Sequence, residues 1–183
     1  SVGLRLPNIP VTRVEGYCVS GTEAFRGAVY AVASGAADFA LALGVEKLKD
    51  TGFGGLPEFS RGTNHNLMGS VDSAPGSFAQ LASAYQAKHR VDWQDLKRAM
   101  GWTAVKSHAN AVNNPRAHLR KEIDLDTVVQ APMVSDPLGL YDCCGVSDGA
   151  ACAIVTRPEL ARELGKDDLV GVKAIQLAAS NGV

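Results

Sequence analysis

The reactive side chains offered by the sequence are four cysteines, Cys18, Cys143, Cys144 and Cys152. Cys18 is the candidate nucleophile. It lies in EGYCVSGTEA, where a β-prone run, VTRVEGY (11–17), meets a helical pattern, with Gly16 and Gly21 flanking the turn. A thiol at the first turn of a helix feels the positive end of the helix dipole and unpaired backbone amides. Both favour the thiolate, which is the nucleophilic form. The arrangement resembles the strand–turn–helix elbow that presents a serine in hydrolases, with sulfur in place of oxygen. The plain alternative is a small buried thiol at a strand end, since free cysteine is among the most buried residue types.

The remaining candidates read as structural. Cys152 lies in an alanine-rich strand and is expected in the core. Cys143 and Cys144 are adjacent in a turn, so there is no CxxC pair and no evident further metal ligand. His65, His89, His108 and His118 follow no HExxH or HxxxH pattern, which predicts no metal site. They read as surface or helix-packing residues, His108 being the most ambiguous. In SDGAA (147–151), Asp148 and Gly149 make a turn, and Ala150 and Ala151 allow two backbones to approach. GFGG (52–55) is not a dinucleotide fingerprint, because no GxGxxG and no following helix accompany it. Lys88, Arg90, Lys97, Arg98, Lys106, Arg116, Arg120 and Lys121 make the middle of the chain locally basic. That suits a phosphate-bearing ligand or, more commonly, a solvated helical face.

The elements that must position Cys18 fall into three zones. Residues 1–50 combine the β-prone run, a helix from about Ser20 to Ser34 and an apolar strand, FALALGVE (39–46). The helix is apolar on more than one face, which predicts burial in a layered core. Strand–helix–strand with short turns predicts a crossover joining parallel strands, so the fold class is α/β. Residues 51–135 open with a Gly/Ser/Asn-rich loop through residue 77, followed by helices over 78–89 and from Trp93 to about Val112. Asp92 reads as the cap of the second, Pro115 lies beyond its end, and DLDTVV (124–129) reads as a short helical turn. Residues 136–183 return to α/β style, with a strand ACAIVT (151–156), a short helix RPELARELG closed by Gly165, and a final strand VGVKAIQLAA.

Composition limits the function classes. The 183 residues are 46% hydrophobic and 20% charged, with 18 Lys+Arg against 19 Asp+Glu and a net charge of -1. That balance leaves no basic excess for nucleic acid. No stretch approaches the roughly 20 uninterrupted apolar residues of a membrane span. Four unevenly placed cysteines do not make a disulfide scaffold, so a reducing cytoplasmic compartment is expected. Both ends read as cut. Ser1 stands where an initiator Met is absent, and Val183 follows an apolar strand, so a fragment is expected.

Two stretches resemble the thiolase superfamily, in particular sterol-carrier-protein or lipid-transfer type thiolases and related acetyl-CoA acetyltransferases. YCVSGTEAFRGAVYAVASGAADFALALGVEKL (17–48) is similar to the family segment holding the acyl-accepting cysteine. AVKSHANAVNNPRAHLRKEIDLDTVVQAPMVSDPLGLYDCCGVSDGAACAIV (104–155) is similar to the exit of its loop domain and the following strand. The resemblance implies a layered α/β/α/β/α fold built from two similar halves. Here it implies part of the first half (1–50), an inserted helical loop domain covering CoA (51–135), and a return to the core (136–183). It also implies a homodimer, with the strand around 11–16 near its interface.

For the site, the resemblance implies Cys18 as catalytic nucleophile, coenzyme A or acyl-CoA as substrate, and no separate cofactor. It assigns no CoA-binding residue. The family's GHP-type histidine, second cysteine and oxyanion-hole motif have no counterpart in this sequence, so the chain by itself is expected to be inactive. Two other activities remain open on the same resemblance. One is a retro-aldolase acting on steroid side-chain CoA esters with a small OB-fold partner. The other is a non-catalytic acyl-CoA-binding subunit.

Overall fold

The computed structural model describes residues 5, 7–49 and 73–178. The chain divides into two compact units, residues 1–46 with 148–183, and residues 47–147.

In the first unit, a 3-10 turn at Tyr17–Val19 leads directly into α1 (Ser20–Ala33). Gly35 follows at φ +76, a left-handed position that ends a helix at no steric cost. β1 (Phe39–Glu46) then pairs antiparallel with β4 (Gly149–Thr156), in register from Phe39 opposite Thr156 to Glu46 opposite Gly149. α5 (Pro158–Glu163) closes with Gly165 at φ +72. There the Gly165 amide donates to the Arg162 carbonyl at 2.8 Å and the Lys166 amide to the Ala161 carbonyl at 3.0 Å. That pair of bonds is a Schellman closure, as the terminal glycine predicted.

α1 covers one face of the strand pair, burying Ala28, Val32 and Ala42. Side chains alternate along a strand, so residues opposite one another share a face. Phe39, Leu41, Leu43 and Val45 therefore project to the other face, with Ile154 beside Leu41, and all five are exposed.

Three expectations change here. Residues 11–16 form no strand, and the partner of β1 is β4 in an antiparallel pair, not a parallel neighbour across α1. Of VGVKAIQLAA (170–179), expected as a strand, the described residues 170–178 carry no ladder, and Val170 is 96% exposed. Propensity marks where a strand can form, but the ladder needs a partner alongside. Cys152 is exposed because its register opposite Leu43 puts it on the face away from α1. α1 itself is half covered, with Ala28 and Val32 its buried residues.

The second unit carries its start signals in its own sequence. α2 (Ala74–His89) begins four residues earlier than its apolar pattern suggested. The Ser73 hydroxyl accepts from the Gly76 amide at 3.2 Å and Pro75 sits in the first turn, so the end of the expected loop is helical. The rest of that expected loop, residues 51–72, lies outside the described residues. α3 (Trp93–Val112) is capped by Asp92, whose carboxylate accepts from the amides of Gln94 at 2.8 Å and Asp95 at 3.2 Å.

Gly101 on α3 is buried, and a Cβ there would stand 2.8 Å from Leu125 Cδ1. This glycine lets α4 (Leu125–Val129) close onto α3 with Val128 fully buried. Asp124 caps α4 through the Thr127 amide at 2.7 Å. A short hairpin follows, β2 (Met133–Ser135) against β3 (Leu138–Gly139), and a 3-10 turn at Leu140–Asp142 leads into Cys143.

Candidate functional site

Cys18 is exposed, two residues ahead of α1 and inside the 3-10 turn. The turn is drawn tight by one carboxylate. Glu15 Oε1 accepts from the Tyr17 amide at 2.9 Å, the Gly16 amide at 3.1 Å and the Ser20 hydroxyl at 2.8 Å. Ser20 Oγ also accepts from the Gly16 amide at 2.9 Å and lies 2.7 Å from the Tyr17 carbonyl. Its single proton serves the carboxylate or that carbonyl, one at a time. Backbone bonds finish the turn, with the Val19 amide donating to the Gly16 carbonyl at 3.2 Å.

The cost of this geometry falls on Tyr17, which holds φ +53. For a residue with a Cβ the left-handed region costs roughly 1–2 kcal/mol. Successive amides aimed at one anion offset that cost, and here the anion is the chain's own side chain. The Ser20 hydroxyl, followed by the Tyr17 amide, holds the Glu15 carboxyl below its ordinary value. The amides of residues 16 and 17 are thereby committed to Glu15, so they do not serve as donors to an oxyanion at Cys18.

The start of α1 also borders an apolar cavity of about 270 Å³, lined by Gly21 and Phe25 together with Ala42, Gly44, Ala151 and Ala153 among others. The small residues at these positions leave the space open between the helix and the strand pair.

Cys143 stands in a different environment. Asp142, the residue before it, is 5% exposed and pairs with Lys97 of α3, itself 15% exposed. Asp142 Oδ2 also accepts from the Gly139 amide at 2.7 Å. Gly139 is tightly surrounded, since a Cβ would sit 3.3 Å from Lys97 Nζ and 3.4 Å from two backbone carbonyls. Burial, and next the charge of Asp142, push the Cys143 thiol up. A raised thiol is a poorer nucleophile at neutral pH, which fits a structural Cys143. Cys144 is exposed, and Cys152 is exposed on the strand pair.

The histidines pack locally. His108 Nδ1 lies 2.8 Å from the Lys121 carbonyl and meets the Tyr141 ring edge-on at 5.7 Å. His89 lies against Tyr85 at 4.5 Å between ring centres. His118 Nδ1 contacts the Ser147 hydroxyl on an exposed surface. His65 lies outside the described residues. Among the described residues no group of three or more His, Cys, Asp or Glu side chains could hold a metal ion, and no helix is long and apolar enough to cross a membrane.

Two features escaped the sequence reading. Glu15 and Ser20 are ordinary types at an ordinary distance, although an acidic residue just ahead of a helix start is a usable signal for a carboxylate binding free amides. Lys97 and Asp142 are 45 residues apart, and no local pattern links them.

The chain belongs to the thiolase family. The family model for the thiolase N-terminal domain matches residues 2–159. The chain is 36% identical over 170 residues to an acetyl-CoA acetyltransferase of Methanothermobacter thermautotrophicus, covering 92% of this chain and 43% of that protein. It is 28% identical over 189 residues to sterol carrier protein 2 of Oryctolagus cuniculus, covering 98% of this chain and 33% of that one. The chain thus spans less than half the length of these curated relatives. Among solved structures, the Ltp2-ChsH2(DUF35) aldolase superposes with a TM-score of 0.62 at 21% identity, over 78% of this chain and 36% of that chain. At that identity the likeness shows the fold, an α/β fold of thiolase type.

Proposed function

We propose that Cys18 is the acyl acceptor of a thiolase-type, CoA-dependent acyltransferase. The observation that carries this reading is an exposed thiol held at the entrance of α1 by a strained, carboxylate-tied turn. Similarity to acetyl-CoA acetyltransferases supports the substrate class. The Cys18 thiolate attacks the carbonyl carbon of an acyl-CoA thioester, forming a new C–S bond. Collapse of the tetrahedral adduct breaks the bond to the CoA sulfur, which leaves as CoA thiolate, and the acyl group stays on Cys18. Transfer of that acyl group back to CoA is thiolysis; transfer to an acyl-CoA carbanion is Claisen condensation. Both strip or build acyl chains, a chemistry that suits lipid metabolism, and we set it in a reducing cytoplasm and within a dimer.

The amides of residues 16 and 17 are occupied by Glu15, so the developing oxyanion needs donors from elsewhere. The sequence holds no GHP histidine to activate the thiol. The chain by itself therefore accepts an acyl group slowly and does not turn over.

The test is incubation with acetyl-CoA or acetoacetyl-CoA, followed by intact-mass and peptide mass spectrometry. A single acyl adduct on Cys18, absent from Cys18→Ser, is the expected result. An adduct spread over all four cysteines, or turnover of acetoacetyl-CoA by the Cys18→Ser variant, overturns it.

A second reading is favoured by the fold likeness to an aldolase whose name includes a DUF35 component. In that case the chain serves carbon–carbon cleavage of a steroid side-chain CoA ester beside a small OB-fold partner, and Cys18 is a bystander. Cleavage that survives Cys18→Ser in the presence of such a partner selects this reading. A stoichiometric acyl-CoA complex without any adduct or cleavage selects a binding subunit.

A further inference from the structure

We infer that Glu15 is a positioning residue for Cys18, its carboxylate tying together the chain on both sides of the thiol. This rests on the reading of Cys18 as acyl acceptor. The argument begins with geometry. One oxygen, Glu15 Oε1, takes the amides of residues 16 and 17 before the cysteine and the Ser20 hydroxyl after it. Cys18 is thereby bracketed between two anchored points four residues apart. Its own side chain is exposed, so packing does not hold it in place.

The bracket has a conformation to maintain. Tyr17 is left-handed at φ +53, and its side chain is 71% exposed, so burial of the ring does not hold that angle. Upstream, residues 9–16 form neither helix nor strand, and downstream α1 starts only at Ser20. The turn thus lies between irregular chain and a regular helix, and the Glu15 contacts span that junction. Released, Tyr17 relaxes toward the ordinary region, and Cys18 moves away from its place at the entrance of α1.

Proton transfer is the competing role for a carboxylate near a nucleophile, and the geometry argues against it. Glu15 Oε1 already accepts from two amides and, alternating with the Tyr17 carbonyl, from the Ser20 hydroxyl, and these donors hold its carboxyl below the ordinary value. A general base works best with a pKa near the operating pH. Arg13 lies 3.9 Å from the second oxygen, Oε2, on a side chain 88% exposed, and it contributes little to the bracket.

The experiment uses the full chain with Glu15→Ala, Glu15→Gln and Ser20→Ala. Iodoacetamide is the probe, with labelling rates at Cys18, Cys144 and Cys152 followed separately by peptide mass spectrometry, and acetyl-CoA is the second probe. In Glu15→Ala the labelling of Cys18 slows by about tenfold, the order expected when charge-assisted hydrogen bonds are lost. Cys144 and Cys152 keep their rates. Glu15→Gln retains an acceptor oxygen and recovers to within about threefold of the parent, while Ser20→Ala, losing one side of the bracket, falls between the two.

An unchanged or faster Cys18 in Glu15→Ala overturns the inference, as does an equal change at all three cysteines, which signals general loosening. Equal loss in Glu15→Ala and Glu15→Gln overturns it too, because a bare charge effect needs no bracket. Failure of acetyl-CoA to acylate Cys18 in the parent chain overturns the acyl-acceptor reading by itself; the iodoacetamide ratios test the bracket with no thioester present.

Discussion

Two cysteine-bearing turns in this protein share a plan and differ in outcome. At each, a short 3-10 turn is organised by a carboxylate that accepts backbone amides, Glu15 ahead of Cys18 and Asp142 ahead of Cys143. The Glu15 turn lies at the surface and presents its thiol to solvent. In the Asp142 turn Leu140 is exposed but the carboxylate itself is buried, and Lys97 neutralises it. Burial and the adjacent carboxylate push the Cys143 thiol up. The same local device therefore yields an accessible thiol in one unit and a subdued one in the other, and burial with its obligatory counter-charge makes the difference.

The largest effect expected from breaking this comparison is at the buried pair. Lys97→Met leaves the Asp142 carboxylate, 5% exposed, without its cation. Asp142 Oδ1 already lacks a hydrogen-bond partner, so the carboxylate has little in reserve. A loss of roughly 3 kcal/mol is expected in chemical denaturation, the scale for removing one partner of a buried ion pair. Lys97→Met together with Asp142→Asn recovers part of it. A loss below about 1 kcal/mol in the single variant, the surface-pair range, means that water reaches the turn and the contrast between the two turns dissolves.

Next is the thiol contrast itself. At neutral pH iodoacetamide alkylates Cys18 at least about tenfold faster than Cys143, since burial and Asp142 push the Cys143 thiol up and Cys18 is the more exposed. Equal rates break the comparison. A smaller effect sharpens the role of the helix that supplies Lys97. Asp92→Ala removes the cap of α3, whose two amide bonds measure 2.8 and 3.2 Å, and costs about 1 kcal/mol in a thermal melt. No change would mean that α3 is held by its packing on α4 alone.

The smallest effect is the titration of the Cys18 turn. The Glu15 carboxyl is held below its ordinary value by the Ser20 hydroxyl and the Tyr17 amide, so its contribution is fully present above the ordinary carboxylate range. It is lost as pH falls through the lowered value. The amide resonances of Gly16 and Tyr17 therefore shift together, with a midpoint below that of an unperturbed glutamate. A midpoint at the ordinary value means that the bracket is open in solution.

Much of the local structure was legible in the residues. The apolar pattern marked α1, Asp92 marked the start of α3, and Gly165 the end of α5. α2 was read four residues late because Ser73 and Pro75 are also loop residues, and composition hid their role as a helix start. Cys18 was placed at a helix entrance from its neighbours alone, and it lies there. The reading of residues 11–16 as a strand joined in parallel to β1 failed, because a strand is defined by the chain beside it. Glu15 was passed over, since nothing in a glutamate's identity tells which amides will point at it.

The sequence by itself determined α1, α3 and α5, the caps Asp92 and Gly165, the family and the position of the candidate thiol, because these depend on contacts within a few residues or on a pattern that relatives share. Only the tertiary structure decided the partner of β1, the face on which Cys152 lies, and the pairing of Lys97 with Asp142. Each of these joins residues far apart along the chain. Whether a thiol there is exposed or subdued depends on the desolvation and counter-charge that such distant contacts bring.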